Sequence, residues 1–307
     1  MQTRRTFIGN GAKLAASAFL PSFLEDDRTV KLTILHTNDV HSMVDPIPMD
    51  GSKYQGLGGL ANRAAIINKI RQTEEHVLLL DAGDIFQGTP YFNFFKGETE
   101  FKAMAAMGYD ATTMGNHDFD LGIDNFAHQL STHGNFPLII CNYDFKGTPL
   151  QHQYLPYKIF RKGPLKIGVL GVGIEMKGLV PDNLTGGTVY LDPLQQANKI
   201  AAHLKEKERC DLVICLSHLG DTYAYNKVSD AVLARESAHI DLIIGGHTHT
   251  FMNTPKKYVN KFGGEVIVNQ VGWGGVILGR LDFSFSRISG KRLVNTHTVP
   301  VEENPRE

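Results

Sequence analysis

The sequence predicts an α/β fold, and three observations carry that prediction: apolar runs of strand length, helical segments between them, and polar residues where the runs end. "KLTILHTNDVH" alternates and then turns polar. "HVLLLDAGD", "PLIICNYD", "LKIGVLGVG", "DLVICLSHLG" and "IDLIIGGHTH" are continuous apolar runs that close in Gly, Asp, Asn or His. Such runs suit strands buried on both faces. "YDATTM" reads as a further strand, leading into the polar stretch "MGNHDFD". Between them, "GLGGLANRAAIINKIRQTE" places Leu60, Ala64, Ile67 and Ile70 on one helix face. "DPLQQANKIAAHLKEKE" opens with Asp192 as N-cap and Pro193 at the first helical position. The tail, "GEVIVNQVGWGGVILGRLDFSF" and "RLVNTHTVPV", reads as hairpin strands with glycine turns. No repeat, low-complexity tract or linker marks a second domain.

Composition narrows the function. A chain of 307 residues with 42% apolar content can bury a large core. Its 31 basic and 32 acidic residues leave a formal charge of -1, with no long like-charge block, so nothing calls for a nucleic-acid partner. Cys210 and Cys215 flank a strand-like segment and would sit roughly 16 Å apart. A bridge needs Cα atoms within about 7 Å, so these two and Cys141 are expected to be buried apolar thiols. At the N-terminus, "TRRTFIGN" sets two arginines ahead of Phe7 and Ile8, followed by an apolar stretch from Leu14 to Leu24. This resembles a bacterial twin-arginine export signal, with residues 1–28 as signal and spacer and a periplasmic or otherwise exported mature chain. The apolar stretch is well short of the roughly 20 residues a span needs, so no membrane span is expected in the mature chain.

Five polar clusters close the predicted strands: Asp39 and His41 in "NDVH", Asp84 in "GDIFQG", Asn116 to Asp120 in "GNHDFD", His218 in "SHLG", and His247 with His249 in "GGHTH". Singly, each reads as a turn or cap residue. Open α/β sheets, however, bind ligands beyond their strand carboxyl ends, which is where all five fall. Residues spaced i, i+2 leave a strand end on the same side, which pairs Asp39 with His41 and His247 with His249 as chelating teeth. Carboxylate, amide and imidazole donors without thiolate favour zinc, manganese, iron or cobalt. Seven such donors exceed the four of one tetrahedral site, so two divalent metals sharing a ligand are expected.

In this order D-x-H, G-D-x-x-x-G, G-N-H-D, H and G-H-x-H resemble the calcineurin-like metallophosphoesterases. More narrowly, "HTNDVH", "GGLANRAAIINKIR", "GDIFQGTPYFNFFKGE", "MGYDATTMGNHDFDLG", "SHLG", "GGHTHT" and "LGRLDF" resemble the N-terminal catalytic domain of the bacterial 5'-nucleotidase and UDP-sugar hydrolase family, from about Leu32 to Phe283. The resemblance implies a four-layer α/β/β/α sandwich with mixed sheets, residues 29–307 being the catalytic domain. It implies one metal on Asp39, His41, Asp84 and His249 and a second on Asp84, Asn116, His218 and His247. A bridging Asp84 is chemically natural, since a carboxylate offers four lone-pair positions.

The resemblance further implies hydrolysis of phosphomonoesters, above all nucleoside 5'-monophosphates or related nucleotides, in nucleotide catabolism or phosphate scavenging. Hydroxide generated at the metal pair attacks phosphorus. His117 then protonates the leaving group while Asp120 holds its ring. Asn116 and His117 would also contact substrate. Cyclic-nucleotide phosphodiesterase, UDP-sugar hydrolase and sulfur-ester hydrolase activities stand as alternatives on the same scaffold. A non-catalytic metal-binding subunit is the alternative from a different class. The family's C-terminal nucleotide-binding domain has no counterpart before Glu307, so either a separate chain is expected to supply it or the catalytic domain works alone. Asp118 is expected only to shape its loop, Asp81 to support a strand end, and Trp273 to pack.

Overall fold

The computed structural model describes residues 29–286 and 290–303. The first half contains β1 (Val30–Thr37), α1 (Leu60–Thr73), β2 (Val77–Asp81), α2 (Pro90–Phe95), α3 (Glu98–Met107), β3 (Ala111–Thr112), α4 (Gly122–His133), β4 (Leu138–Ile139) and β5 (Tyr143–Asp144). Next come β6 (Tyr154–Leu155), β7 (Tyr157–Lys162), β8 (Leu165–Val172), β9 (Val189–Tyr190), α5 (Pro193–Ala202) and β10 (Leu212–Ser217). The chain continues through α6 (Asp230–Glu236), β11 (Leu242–Gly245), β12 (Lys256–Val259), β13 (Glu265–Asn269), β14 (Ile277–Ser286) and β15 (Gly290–Pro300).

One sheet has the order β15-β14-β1-β2-β3-β4-β6, the other β12-β13-β11-β10-β8-β7, and β5 with β9 makes a small ribbon. In the first sheet β1, β2, β3, β4 and β6 run parallel, with β14 antiparallel to β1 and β15 to β14. In the second, β8, β10, β11 and β13 are parallel, with antiparallel β7 and β12 at its edges.

Side-chain alternation builds the layers, because successive strand residues point to opposite faces. Leu78 and Leu80 of β2, with Leu32 and Ile34 of β1, pack between the sheets against Ile167, Val169, Ile214 and Leu242. Leu35 and Leu79 turn outward onto Ile67, Phe101 and Phe126 of α1, α3 and α4. On the other side Leu170, Val213 and Cys215 meet Ala197 and Ala201 of α5 and Leu233 of α6. The result is the expected α/β/β/α sandwich. A fully buried leucine such as Leu79 contributes about 1.5–3 kcal/mol by leaving water.

Several elements differ from the sequence reading. "YDATTM" supplies only the two-residue β3, because the chain must leave the sheet to form the polar loop that follows. "PLIICNYD" splits into β4 and β5, which join different sheets. The tail is not one hairpin: β13 pairs with β11 and β12, whereas β14 joins the first sheet. Residues 270–276 therefore cross from one sheet to the other. The helix opened by Asp192, whose carboxylate accepts the Gln195 N–H at 2.9 Å, ends at Ala202 and runs on as a π turn, His203–Lys207. Cys141, Cys210 and Cys215 are free and buried. The twin-arginine segment lies outside the described residues. Among the described residues no helix is long and apolar enough to cross a membrane.

Candidate metal centre

All five clusters sit just past strand ends, on the loops after β1, β2, β3, β10 and β11. These loops do not continue the strand geometry. Asp39, His41, Asp84, His247 and His249 have φ of 48°, 50°, 56°, 73° and 52°, in the left-handed region that non-glycine residues rarely enter. Such residues cluster at functional sites, each costing on the order of 1–3 kcal/mol that the surrounding structure offsets. The strand-alternation argument is thereby corrected for His247 and His249, whereas Asp39 and His41 do share a group. Left-handed turns aim these side chains, and they send His247 and His249 to different places.

Two groups of donors result. In the first, with Asp39, His41 and His249, the Nε2 atoms of the two histidines face each other at 3.0 Å, and His249 Nε2 lies 3.4 Å from Asp39 Oδ1. In the second, Asp84, His218 and His247 bring their donor atoms within 4.8 Å of one another. Asn116 joins this group through its Oδ1, 2.8 Å from His247 Nδ1. Asp84 Oδ2 lies 3.0 Å from His218 Nε2 and 4.0 Å from His41 Nε2, so its carboxylate faces both groups. The structure thus gathers all seven sequence-predicted ligands, with Asp84 between the halves.

The donor set fits two divalent cations. Asp39, Asp84 and His218 are essentially fully buried, yet among the described residues His218 Nε2 has no hydrogen-bond partner. Its approach to Asp84 is too poorly aligned for a hydrogen bond, and buried charged groups need either a partner or a metal. Electrostatics agree. Burial pushes the Asp84 carboxyl up, but His218 and then His41 outweigh it and hold it well below the carboxylate range. Burial works against charge on His218, but the carboxylates of Asp84 and Asp39 raise it to about 10, so the site favours a positive charge there, and a bound cation would replace that proton. His247, lowered to about 4 by burial and then by His218, is a neutral imidazole of the kind a metal takes.

Asp118 does more than the sequence suggested. Its two oxygens accept the backbone N–H of Gly115, Asp84, Ile85 and Phe86 at 2.8, 3.0, 2.9 and 3.2 Å, tying the Asn116 loop to the Asp84 loop. Gly115 is required for space rather than for a tight turn, since a Cβ there would lie 2.1 Å from Asp84 Oδ1. Asp81 caps β2 by accepting Thr37 Oγ1, Thr112 Oγ1 and Gly83 N at 2.6, 3.0 and 2.9 Å. Asn38 and Gln270 brace the loops of Asp39 and His247. Neither carries a signal in the sequence, because Asn38 also bonds the backbone of Val271 and Gly272, and Gln270 that of Gly246, all distant along the chain.

His117 stands at the edge of the first group, its ring centroid 5.4 Å from that of His41. Its Nδ1 lies 3.0 Å from Asp120 Oδ2, and its backbone N–H donates to Asp84 Oδ1 at 2.8 Å. The Asp120 hydrogen bond raises its pKa; partial burial opposes this and Asp84 adds to it. By contrast His36, buried between the sheets, bonds only Asn269 at 2.8 Å, and burial lowers it to about 3, as suits a core histidine.

A mixed-sheet α/β/β/α sandwich with two carboxylate and imidazole groups at its strand ends defines the class of metal-dependent phosphoesterases. The chain belongs to the calcineurin-like phosphoesterase family, whose signature matches residues 32–251. It is 37% identical over 232 residues to the snake venom 5'-nucleotidase of Gloydius brevicauda, covering 73% of this chain and 38% of that protein. With the 5'-nucleotidase of Vibrio cholerae it shares 34% identity over 315 residues, 94% of this chain and 55% of that one. The crystal structure of a 5'-nucleotidase precursor from Thermus thermophilus superposes with a TM-score of 0.78 at 28% identity, over 88% of this chain and 54% of that one. The chain spans about half or less of the length of these relatives.

Proposed function

We propose that this chain is a two-metal phosphoesterase that releases phosphate from phosphomonoesters, nucleoside 5'-monophosphates foremost. The observation that carries the reading is the convergence of seven donor atoms in two groups around Asp84, with a histidine that is not among them, His117, at the edge. Asp39, His41, Asp84 and His249 would hold one ion and Asp84, Asn116, His218 and His247 the other. When bound, such ions polarise phosphoryl oxygens and lower the pKa of water.

The chain's own residues do the rest. Hydrolysis breaks the bond between phosphorus and the ester oxygen, and the departing alkoxide must gain a proton. His117 keeps its Nδ1 on Asp120, which leaves Nε2 to donate that proton, and the raised pKa keeps the ring charged until it does so. The Asp118 clamp fixes His117 and Asn116 relative to Asp84, the near-ångström precision that such transfer needs. Asn116 adds an amide that can hydrogen-bond a phosphoryl oxygen.

The 5'-nucleotidase names of the relatives support the choice of nucleotides. The test uses the chelator-treated chain reloaded with manganese, zinc, iron or cobalt, and follows phosphate from nucleoside monophosphates, nucleoside monophosphate from a cyclic nucleotide, UMP from a UDP-sugar and sulfate from a sulfur-linked sulfate ester. Metal-dependent turnover of the monophosphates is expected; turnover of none by any metal would overturn the reading. Export through the twin-arginine route is proposed from Arg4 and Arg5 alone, and recovery of the full-length chain only in the cytoplasm would contradict it.

A further inference from the structure

Two of the four imidazoles in the centre are oriented by a backbone carbonyl on Nδ1: His41 Nδ1 lies 3.1 Å from Phe86 O and His218 Nδ1 2.7 Å from Ala82 O, while His247 Nδ1 faces Asn116 Oδ1 within its own donor group. His249 lacks this support. Its side chain is 42% exposed, and among the described residues its Nδ1 has no hydrogen-bond partner. Its ring meets that of His41 edge-on, with centroids 5.0 Å apart, and that of Trp273 with centroids 6.4 Å apart and planes inclined by 29°. The latter is an offset stack at the wide end of the usual range.

The indole is itself held to the same half of the centre. Asn38 Nδ2 donates to Gly272 O at 2.7 Å while Asn38 Oδ1 accepts Val271 N–H at 3.0 Å, and Gly274 N–H donates to Asp39 O at 2.7 Å. Asn38 Nδ2 also donates to Asp39 Oδ2 at 2.6 Å. Gly272, at φ 77°, gives up its side-chain space to Phe251, whose ring would lie 2.2 Å from a Cβ. The Trp273 turn and the Asp39 loop therefore move as one piece.

We propose that Trp273 is a positioning residue for His249, its ring stacking on an imidazole that has no carbonyl on Nδ1 such as His41 and His218 have. A stacked pair of rings is commonly worth about 2- to 12-fold in an equilibrium constant. The effect falls on the half formed by Asp39, His41 and His249 and spares the buried half. The inference rests on the two-ion reading.

The test loads the full chain with Mn²⁺, then dialyses it against rising chelator while measuring manganese per chain. Wild type, Trp273→Phe, Trp273→Ala and His249→Ala are compared, each checked for a cooperative thermal transition. Trp273→Ala is expected to release one of two ions at about 2- to 12-fold lower chelator and to keep the other as wild type does. Trp273→Phe, which restores a ring, is expected to stay closer to wild type, and Trp273→Leu, which keeps bulk without a ring, replaces the alanine variant if that one fails to fold. Because Trp273 is the only tryptophan, wild-type emission should also fall on Mn²⁺ addition, less so in His249→Ala. A Trp273→Ala chain indistinguishable from wild type, or one that loses both ions together, would overturn the proposal and leave the two-ion reading standing. A wild-type chain that binds no Mn²⁺ would overturn both.

Discussion

The two halves of the centre share a carboxylate but hold their imidazoles differently. Around Asp84, His218 is fully buried and bonded to the β2 loop, and Asn116 is anchored on a loop that Asp118 ties down. Around Asp39, His249 is nearly half exposed and rests against an indole. Charges interact more strongly in the drier half, because there is little water to screen them. The difference suggests a division of labour, with one ion kept as part of the structure and the other open to exchange and to substrate.

The largest expected effect comes from removing what the halves share. Asp84→Asn takes away the charge that faces both His218 and His41, so both ions should be lost and phosphate release should fall to that of chelator-treated protein. Elemental analysis showing one ion still fully held would break the sharing. Asp118→Ala sharpens the contrast from the other side. It leaves four buried backbone N–H groups without their acceptor, at about 1–3 kcal/mol each where water cannot replace it, so a urea titration should show several kcal/mol of lost stability. Asn116→Ala should weaken the buried half by at least about tenfold, seen as one ion released early against chelator while the other stays. The smallest effect is expected at the rim, where Tyr54 stacks on Phe251 at 4.8 Å. Tyr54→Ala should lower stability by about 0.5–1.5 kcal/mol beyond its buried area and leave metal content unchanged.

The sequence made the layers and the ligands legible for one reason: both follow from where apolar runs stop. Leu78 and Leu80 facing one way and Leu79 the other is period-2 patterning, and Asp84 sits where that pattern ends. What stayed hidden depends on backbone turns or on distant partners. The left-handed φ of His247 and His249 cannot be read from residue type, and it overrode the alternation expected for that i, i+2 pair. Asp118 looked like a bystander because three of its four partners, Asp84, Ile85 and Phe86, lie on another loop. Trp273 reaches His249 only because residues 270–276 cross between sheets, a path that the hairpin reading of the tail did not contain.

The most direct test separates holding from acting. His117 lies outside both donor groups and at the edge of one, so with His117 as the proposed proton donor His117→Ala should lower phosphate release by about 10² to 10⁴. Metal per chain and turnover are to be measured on one preparation of the variant. The expected result is two ions retained with activity lost, and ions lost in step with activity would contradict the assignment of His117 as proton donor.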